Sequence, residues 1–321
     1  MNNQEPNFNF FPIDPAYGGE KSLVGIVGHG FVGKAVERSF ISEVDRFIVD
    51  PIYKTNIDQL VEKEPTLAFV CTPTPSDSSG RIDAAVTVDA VLKLIRLTKS
   101  AVVLKSTVTP EVLDKICRTI HSESTEESDA MSRFLYVPEF LTEGNADHDY
   151  CNPKYMVVGG SSSSCGAFLE FIHYHTMVVL PKNQEDDGGI HQVSHIEASL
   201  IKYAINAFLA TKLTFFNNLY DLCEHHKDKG VSPSNVAKCV VAEPRIGNTH
   251  WRVPGFDGKK GFGGACFPKD TSALVAATDK MPLLESVIEI NNKIRSEHDL
   301  NSREKAQNIT FSDHVIDEGE E

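Results

Sequence analysis

The chain has 321 residues, with 45 acidic and 31 basic side chains and a formal net charge of −14. Hydrophobic residues make up 41%, which is globular composition and excludes a disordered or fibrous protein. The acidic excess argues against a duty on nucleic acid or on an anionic membrane, since both favour basic surfaces, and the length predicts two domains.

Residues 1–20 mix Asn, Pro, Gly and isolated aromatics without a period and read as an extension. The runs LVGIVG (23–28), RFIVD (46–50), TLAFVC (66–71), AVVLKS (101–106) and RFLYVP (133–138) read as strands, with helical spacing at 83–99 and 110–120 between them. HSESTEESDA (121–130) reads as a polar loop, while YMVVGG (155–160) and TMVVLP (176–181) read as further strands around a helix capped by Ser161–Ser164. After NQEDDGG (183–189), residues 191–226 lack Gly and Pro and carry apolar residues at helical intervals, so one long helix is predicted. Further helices are expected at about 233–241 and 268–297, and residues 299–321 read as an acidic, solvated tail. Strand–helix alternation implies an α/β class. Residues 21–190 form a doubly wound, Rossmann-like sheet in this reading, and 191–298 a mostly helical central domain with one long helix.

The first strand runs into Gly28-His29-Gly30-Phe31-Val32-Gly33, which opens a helix, and Asp50 ends the next strand. The glycines allow a tight turn and bring backbone N–H groups and a helix N-terminus to a pyrophosphate. A carboxylate at Asp50 accepts from a ribose 2′-OH and repels a 2′-phosphate, so NAD is favoured over NADP. A ligand-free strand–turn–helix is the bland alternative, and the combined context disfavours it. Thr72-Pro73-Thr74-Pro75 and Lys105-Ser106-Thr107-Val108 each follow a strand, where doubly wound sheets place their ligands; by composition alone they are ordinary turns.

The seven cysteines form no C-x-x-C pair and no signal peptide is evident, so reduced thiols, a cytoplasmic setting and no metal site are expected. Gly261-Phe262-Gly263-Gly264-Ala265-Cys266-Phe267-Pro268-Lys269-Asp270 sets Cys266 apart from the rest. Pro268 suits a first helical turn, which places Cys266 before a helix N-terminus with Lys269 nearby; both effects raise the thiolate fraction. Lys202 and Asn206 share a helix face, a pattern that is more often solvated surface. Glu139 and Glu143 follow a strand and offer a candidate general base, although loop carboxylates are more often simple charges.

Taken together, GIVGHGFVGKAV, CTPTP, KSTVTPE, VPEFLTEG, EASLIKYAINAFLATKLTFFN, EPRIG and GFGGACFPKD resemble the UDP-glucose/GDP-mannose dehydrogenase family, in order over about residues 20–297, and more its UDP-glucose branch. The resemblance implies oxidation of a sugar C6 alcohol to a carboxylate with NAD, with Cys266 as the nucleophile that forms a thiohemiacetal and then a thioester. It further implies that Lys202 and Asp270 stabilise oxyanions and position water, that Asn206 holds the substrate, and that Glu139 is the base for hydrolysis. Thr107 and Glu143 are implied beside the nicotinamide, with Lys269, Thr72, Thr74 and Ser106 in the cofactor set. The resemblance also implies that Phe140, Leu141, Gly261, Phe262 and Gly263 line the sugar site, and that Arg245 reaches a neighbouring subunit's substrate in a homodimer built on the long helix. The family's usual C-terminal α/β domain has no counterpart among these residues. The expectations are therefore an enzyme with a reduced pocket, a separate chain completing the UDP site as half of a split enzyme, or a catalytically weak NAD-binding or oligomerisation module. An ordinary NAD dehydrogenase for a small hydroxy acid needs no cysteine nucleophile and is disfavoured.

Overall fold

The five apolar runs between residues 23 and 138 become strands β1 (Leu23–Val27), β2 (Asp45–Val49), β3 (Leu67–Val70), β4 (Ala101–Leu104) and β5 (Phe134–Tyr136). The structure is a computed structural model that describes residues 22–77, 79–124, 129–142, 144–182 and 188–311. The extension over 1–20, Glu143 and residues 312–321 lie outside the described residues.

Every residue of β3 and β4 is buried, as central parallel strands covered on both faces require. With β6 (Tyr155–Gly159) and β7 (Gly189–Val193) they form a seven-stranded sheet in the order β2-β1-β3-β4-β5-β6-β7. Pairing is parallel except between β5 and β6, so the expected parallel sheet carries one antiparallel step. Connections run through α1 (Phe31–Ser39), α2 (Ile57–Val61), α3 (Ala85–Leu97), α4 (Pro110–Glu123), α5 (Ala146–Cys151) and α6 (Ser162–His175). Because strand side chains alternate, Val24 and Ile26 of β1 meet Ala35 and Val36 of α1 and Phe168 and Phe171 of α6 in one core. On the opposite face Gly25 lets α2 approach, since a Cβ there would lie 2.6 Å from the Leu60 side chain. The chain leaves β1 to one side for β2 and returns on the other for β3. That reversal is the topological switch point, where such sheets bind ligands.

Several sequence expectations are corrected. TMVVLP (176–181) is not a strand: Thr176 makes one isolated bridge to Phe40, and the sheet edge beside β6 is taken by β7. The long helix α7 spans His195–His225 rather than starting at 191, because 189–193 pairs with β6. Its start is set by Ser194, whose backbone N–H donates to Glu197 Oε2 at 2.8 Å while the Glu197 N–H donates to Ser194 Oγ at 3.3 Å, a reciprocal cap visible as S-x-x-E. The helix expected over 268–297 is two, α9 (Phe267–Ala277) and α10 (Pro282–Arg295), because Pro282 opens a new first turn.

Two compact units result. Among the described residues, 22–74 with Ala84–Lys202 form the first, and Pro75–Asp83 with 203–311 form the second. The division thus falls inside α7 rather than at residue 190, and a short segment between β3 and α3 belongs to the second unit. That unit contains α8 (Pro233–Val241) and buries Tyr203, Ala207 and Ala210 of α7 against Phe262, Leu274, Leu284 and Val287. Residues 299–311 are not a solvated tail. They carry α11 (Ser302–Ala306), capped reciprocally by Asn301 and Glu304, and Glu304, Ile309 and Phe311 are buried. Among the described residues no helix is long and apolar enough to cross a membrane.

Candidate active site

The glycine turn sits at the β1/β3 switch point. Gly28 has φ +89° and a Cβ there would lie 2.7 Å from the Cys71 carbonyl oxygen; one on Gly33 would lie 2.0 Å from the Gly28 carbonyl oxygen. Around Gly30 nothing lies within 4 Å of such an atom, and Gly30 is the N-cap of α1 with no side-chain cap. Open space at a helix N-terminus that carries no side-chain cap is what a pyrophosphate needs. Phe31 begins α1, and Val32 packs against the sheet core. At the end of β2, Asp50 Oδ2 accepts from the His29 backbone N–H at 2.8 Å and Oδ1 from Ile52 N–H at 3.0 Å, which fixes the carboxylate beside the turn. His29, a mere spacer in the sequence motif, is a strut: its ring is hydrogen-bonded to Tyr53 Oη at 2.8 Å and to Glu37 Oε2 at 2.9 Å.

The loops after β3 and β4 interlock. The Thr72 hydroxyl meets that of Thr87 at 2.7 Å, Ser106 Oγ donates to the Thr72 carbonyl at 2.7 Å, and Thr74 Oγ1 donates to the Thr107 carbonyl at 3.0 Å. Thr72, Thr74 and Ser106 are buried, so their hydroxyls hold the two loops together, leaving Thr107 partly exposed. Lys105, marked in the sequence only as part of the turn after a strand and given no role of its own, is buried and pairs with Glu139 Oε2 at 2.8 Å. Glu139 Oε1 accepts from Phe140 N–H at 2.9 Å. Burial pushes the neighbouring Cys71 thiol up to about 12, against the opposing pull of Lys105, and burial together with the Glu139 charge raises Tyr150.

Lys202 is buried, so the solvated-face reading of its helix stripe does not hold. Its ammonium donates to the Glu139 carbonyl and lies 4.9 Å from the Phe140 ring centroid, an attractive cation–π geometry. Leu141 packs on the sheet core; Glu143 lies outside the described residues.

In the second unit Cys266 is the N-cap of α9 and is exposed. Lys269 does not reach toward the thiol: its ammonium donates to Asp270 Oδ1 at 2.6 Å, and Asn206 Nδ2 donates to Asp270 Oδ2 at 2.6 Å. All three of these side chains are buried. The cluster pairs one ammonium with one carboxylate, and both Asp270 oxygens accept a hydrogen bond, the condition under which a buried carboxylate is tolerated. Gly261 has φ +72° and passes beside Asn291, and a Cβ on Gly263 would overlap the Arg295 guanidinium. The Phe262 ring lies in the core of this unit, and its N–H and carbonyl are both bonded to Asn291. Arg245 is exposed and pairs with Glu243 at 2.8 Å. A cleft of about 600 Å³, lined in part by Phe216, Tyr220, Lys238, Trp251 and Arg252, contains none of the candidate site residues.

These environments separate the thiols. With iodoacetamide at pH 8, Cys266 and Cys239, both exposed, are expected to alkylate within minutes. Cys71, pushed up to about 12, and Cys165, pushed up to about 11 by burial, are expected to stay unmodified until the protein is denatured, because the thiolate is the reacting species. Peptide mass spectrometry over time checks this; Cys71 alkylating as fast as Cys266 would contradict it.

Among known proteins, the profile of the UDP-glucose/GDP-mannose dehydrogenase family, NAD binding domain, matches residues 52–177, and that of the same family's central domain matches residues 196–293. UDP-glucose 6-dehydrogenase TuaD of Bacillus subtilis is 30% identical over 317 aligned residues, covering 85% of this chain and 63% of that protein. The chain therefore spans less than two thirds of this relative's length. A UDP-glucose dehydrogenase structure from Pyrobaculum islandicum superposes with a TM-score of 0.64 at 24% identity, covering 86% of this chain and 69% of that one. A 3-hydroxyisobutyrate dehydrogenase of Mycobacterium tuberculosis superposes with a TM-score of 0.62 at 16% identity, covering 91% and 97% respectively. These two likenesses concern the fold alone. The two profile matches, which together cover most of residues 52–293, place this chain in the UDP-glucose/GDP-mannose dehydrogenase family.

Proposed function

We infer that this chain carries the cofactor-binding and thiol-bearing parts of an NAD-dependent nucleotide-sugar dehydrogenase, with UDP-glucose as the substrate and UDP-glucuronate as the product. The observation that carries this reading is Cys266, exposed at the head of α9 one turn before a buried Asp270 held by Asn206 and Lys269. A hydroxy-acid dehydrogenase of similar fold has no use for that thiol.

Gly28, Gly30 and Gly33 would hold the pyrophosphate of NAD and Asp50 its ribose, and NAD when bound supplies the hydride acceptor for both oxidation steps. The residues of the chain do the rest. The C6 alcohol gives up a proton and a hydride to become the aldehyde. The Cys266 thiolate adds to that carbonyl carbon, forming the C–S bond of a thiohemiacetal. Loss of a second hydride and a proton leaves the thioester, and water breaks the C–S bond, releasing the carboxylate and the thiolate. Lys202 and Asp270 are assigned to the oxyanions of the addition and hydrolysis steps. Glu139 is assigned as the base that activates water, Asn206 holds the substrate, and Thr107 stands by the nicotinamide.

A homodimer through α7 is part of the same reading. Leu200, Phe208, Phe215 and Leu222 are 49–67% exposed and recur every seven or eight residues, which lays them along one helix face. Arg245, exposed beyond α8, would then serve the neighbouring subunit.

Mixing the purified chain with NAD and UDP-glucose tests the reaction. About two NADH per sugar consumed is the expected ratio; a ratio of one, with aldehyde accumulating, would overturn the thioester route.

A further inference from the structure

Four consecutive residues ahead of Ala265 and Cys266 are held by side chains from three helices. Asn217 Oδ1 of α7 accepts from Gly261 N–H at 2.8 Å. Asn291 of α10 accepts from Phe262 N–H at 2.7 Å and donates to its carbonyl at 3.0 Å. Glu304 Oε1 of α11 accepts from Gly264 N–H at 2.9 Å, while its Oε2 accepts from Asn301 N–H at 2.8 Å. Arg295 fills the space beside Gly263: a Cβ there would lie 1.5 Å from its Nη2. That guanidinium pairs with Asp257 at 2.7 Å and with Glu304 at 3.6 Å, and lies 5.7 Å from the Phe311 ring centroid. Arg295 and Glu304 are each 2% exposed.

Burying a guanidinium and a carboxylate is costly unless the pair is matched and hydrogen-bonded. Here the cost falls on a loop that has no side chains of its own at Gly261, Gly263 and Gly264 with which to hold its shape. A run of glycines is the most mobile kind of backbone, yet a covalent nucleophile needs its sulfur fixed to within a fraction of an ångström. Arg295 and Glu304 also lie beyond residue 293, where the central-domain match ends.

We propose that Glu304 and Arg295 are positioning residues for the Cys266 loop, so that α11 belongs to the catalytic apparatus. Glu304 clamps the Gly264 amide, Arg295 occupies the gap at Gly263 and ties Asp257 to the same carboxylate, and Cys266 two residues on inherits a fixed place at the head of α9. The proposal rests on the reading of Cys266 as the nucleophile.

The test uses the full chain with Glu304→Ala and Glu304→Gln. Hydrogen exchange of the 261–266 amides needs no turnover, and neither does the alkylation rate of Cys266 read by peptide mass spectrometry. In Glu304→Ala, exchange over 261–266 is expected to rise at least tenfold with the rest of the chain protected, and the Cys266 alkylation rate to change at least threefold. The kcat for UDP-glucose is expected to fall at least tenfold while the KM for NAD stays within twofold, a split that general loosening of the protein would not produce. Glu304→Gln keeps the acceptor for Gly264 but removes the charge facing Arg295, and is expected to fall between wild type and Ala. Wild-type exchange in Glu304→Ala, or a rise in exchange with unchanged kcat, overturns the proposal. Where Glu304→Ala fails to fold, Glu304→Gln decides: a threefold local rise in exchange with a matching loss of kcat supports it, and wild-type values of both overturn it. A wild-type chain without turnover sinks the functional reading alone, and exchange and alkylation then judge the loop.

Discussion

Cys266→Ser is expected to lower UDP-glucuronate formation by at least about 10³-fold, the scale of loss when a covalent nucleophile is removed. Serine is nearly isosteric, and residue 266 is exposed at a helix cap with no side-chain cap bond, so the fold is expected to be unaffected, with a change in stability within about 0.5 kcal/mol. The chemistry changes instead. An alkoxide forms far less readily than a thiolate near neutral pH, and an oxygen ester is less reactive toward water than a thioester. NAD affinity is expected to stay at the wild-type value, because the glycine cradle and Asp50 belong to the first unit. Chromatographic assay of the acid, with calorimetry for NAD, checks both halves. Acid formation within threefold of wild type in the Ser variant would remove Cys266 from the mechanism.

Gly33→Ala is expected to abolish NAD binding and to destabilise the first unit by about 3 kcal/mol, the upper range for overpacking a closely packed site. The added Cβ would lie 2.0 Å from the Gly28 carbonyl oxygen. That neighbour is backbone, so no side-chain rotation relieves the clash, and the turn between β1 and α1 must open. Gly28 cannot yield easily, since its own φ is +89° and its surroundings are the backbone of Cys71 and Thr72. Opening the turn pulls His29 N–H away from Asp50 and disperses the amides that the pyrophosphate needs. Gly30→Ala is the control: it meets nothing within 4 Å, so stability is expected near wild type. Thermal melts with and without NAD measure both effects; a Gly33→Ala protein that is stabilised by NAD as wild type is would contradict the cradle.

How much of this was legible in the sequence depends on the range over which each feature is decided. The five N-terminal strands, the glycine turn, the placement of Asp50 and Cys266 at the mouth of a helix follow from local rules, namely apolar runs, glycine spacing and Pro268 in a first turn. Residues 176–181 failed because a strand needs a partner. Their apolar run reads as a strand, but β7 holds the place beside β6, and hydrogen-bond pairing is a property of the sheet rather than of the segment. The split of 268–297 is also local, since Pro282 marks it.

The sequence by itself determined the α/β class, the glycine turn after β1 and the place of Cys266 ahead of a helix, because each depends on residues a few positions apart. Only the tertiary structure decided the rest. Lys202 and Asn206 are buried on what read as a solvated face, because a carbonyl of residue 139 and the Asp270 carboxylate stand over them within their own units. Lys105 meets Glu139 across 34 positions, and Glu304 meets Gly264 across 40. No periodicity or motif encodes contacts at such separations; they exist because the sheet sets β4 beside β5 and because α11 packs on the loop that carries Cys266. A charged residue such as Glu304, early in an acidic stretch, reads as solvated until the fold shows the buried amide and guanidinium that it meets.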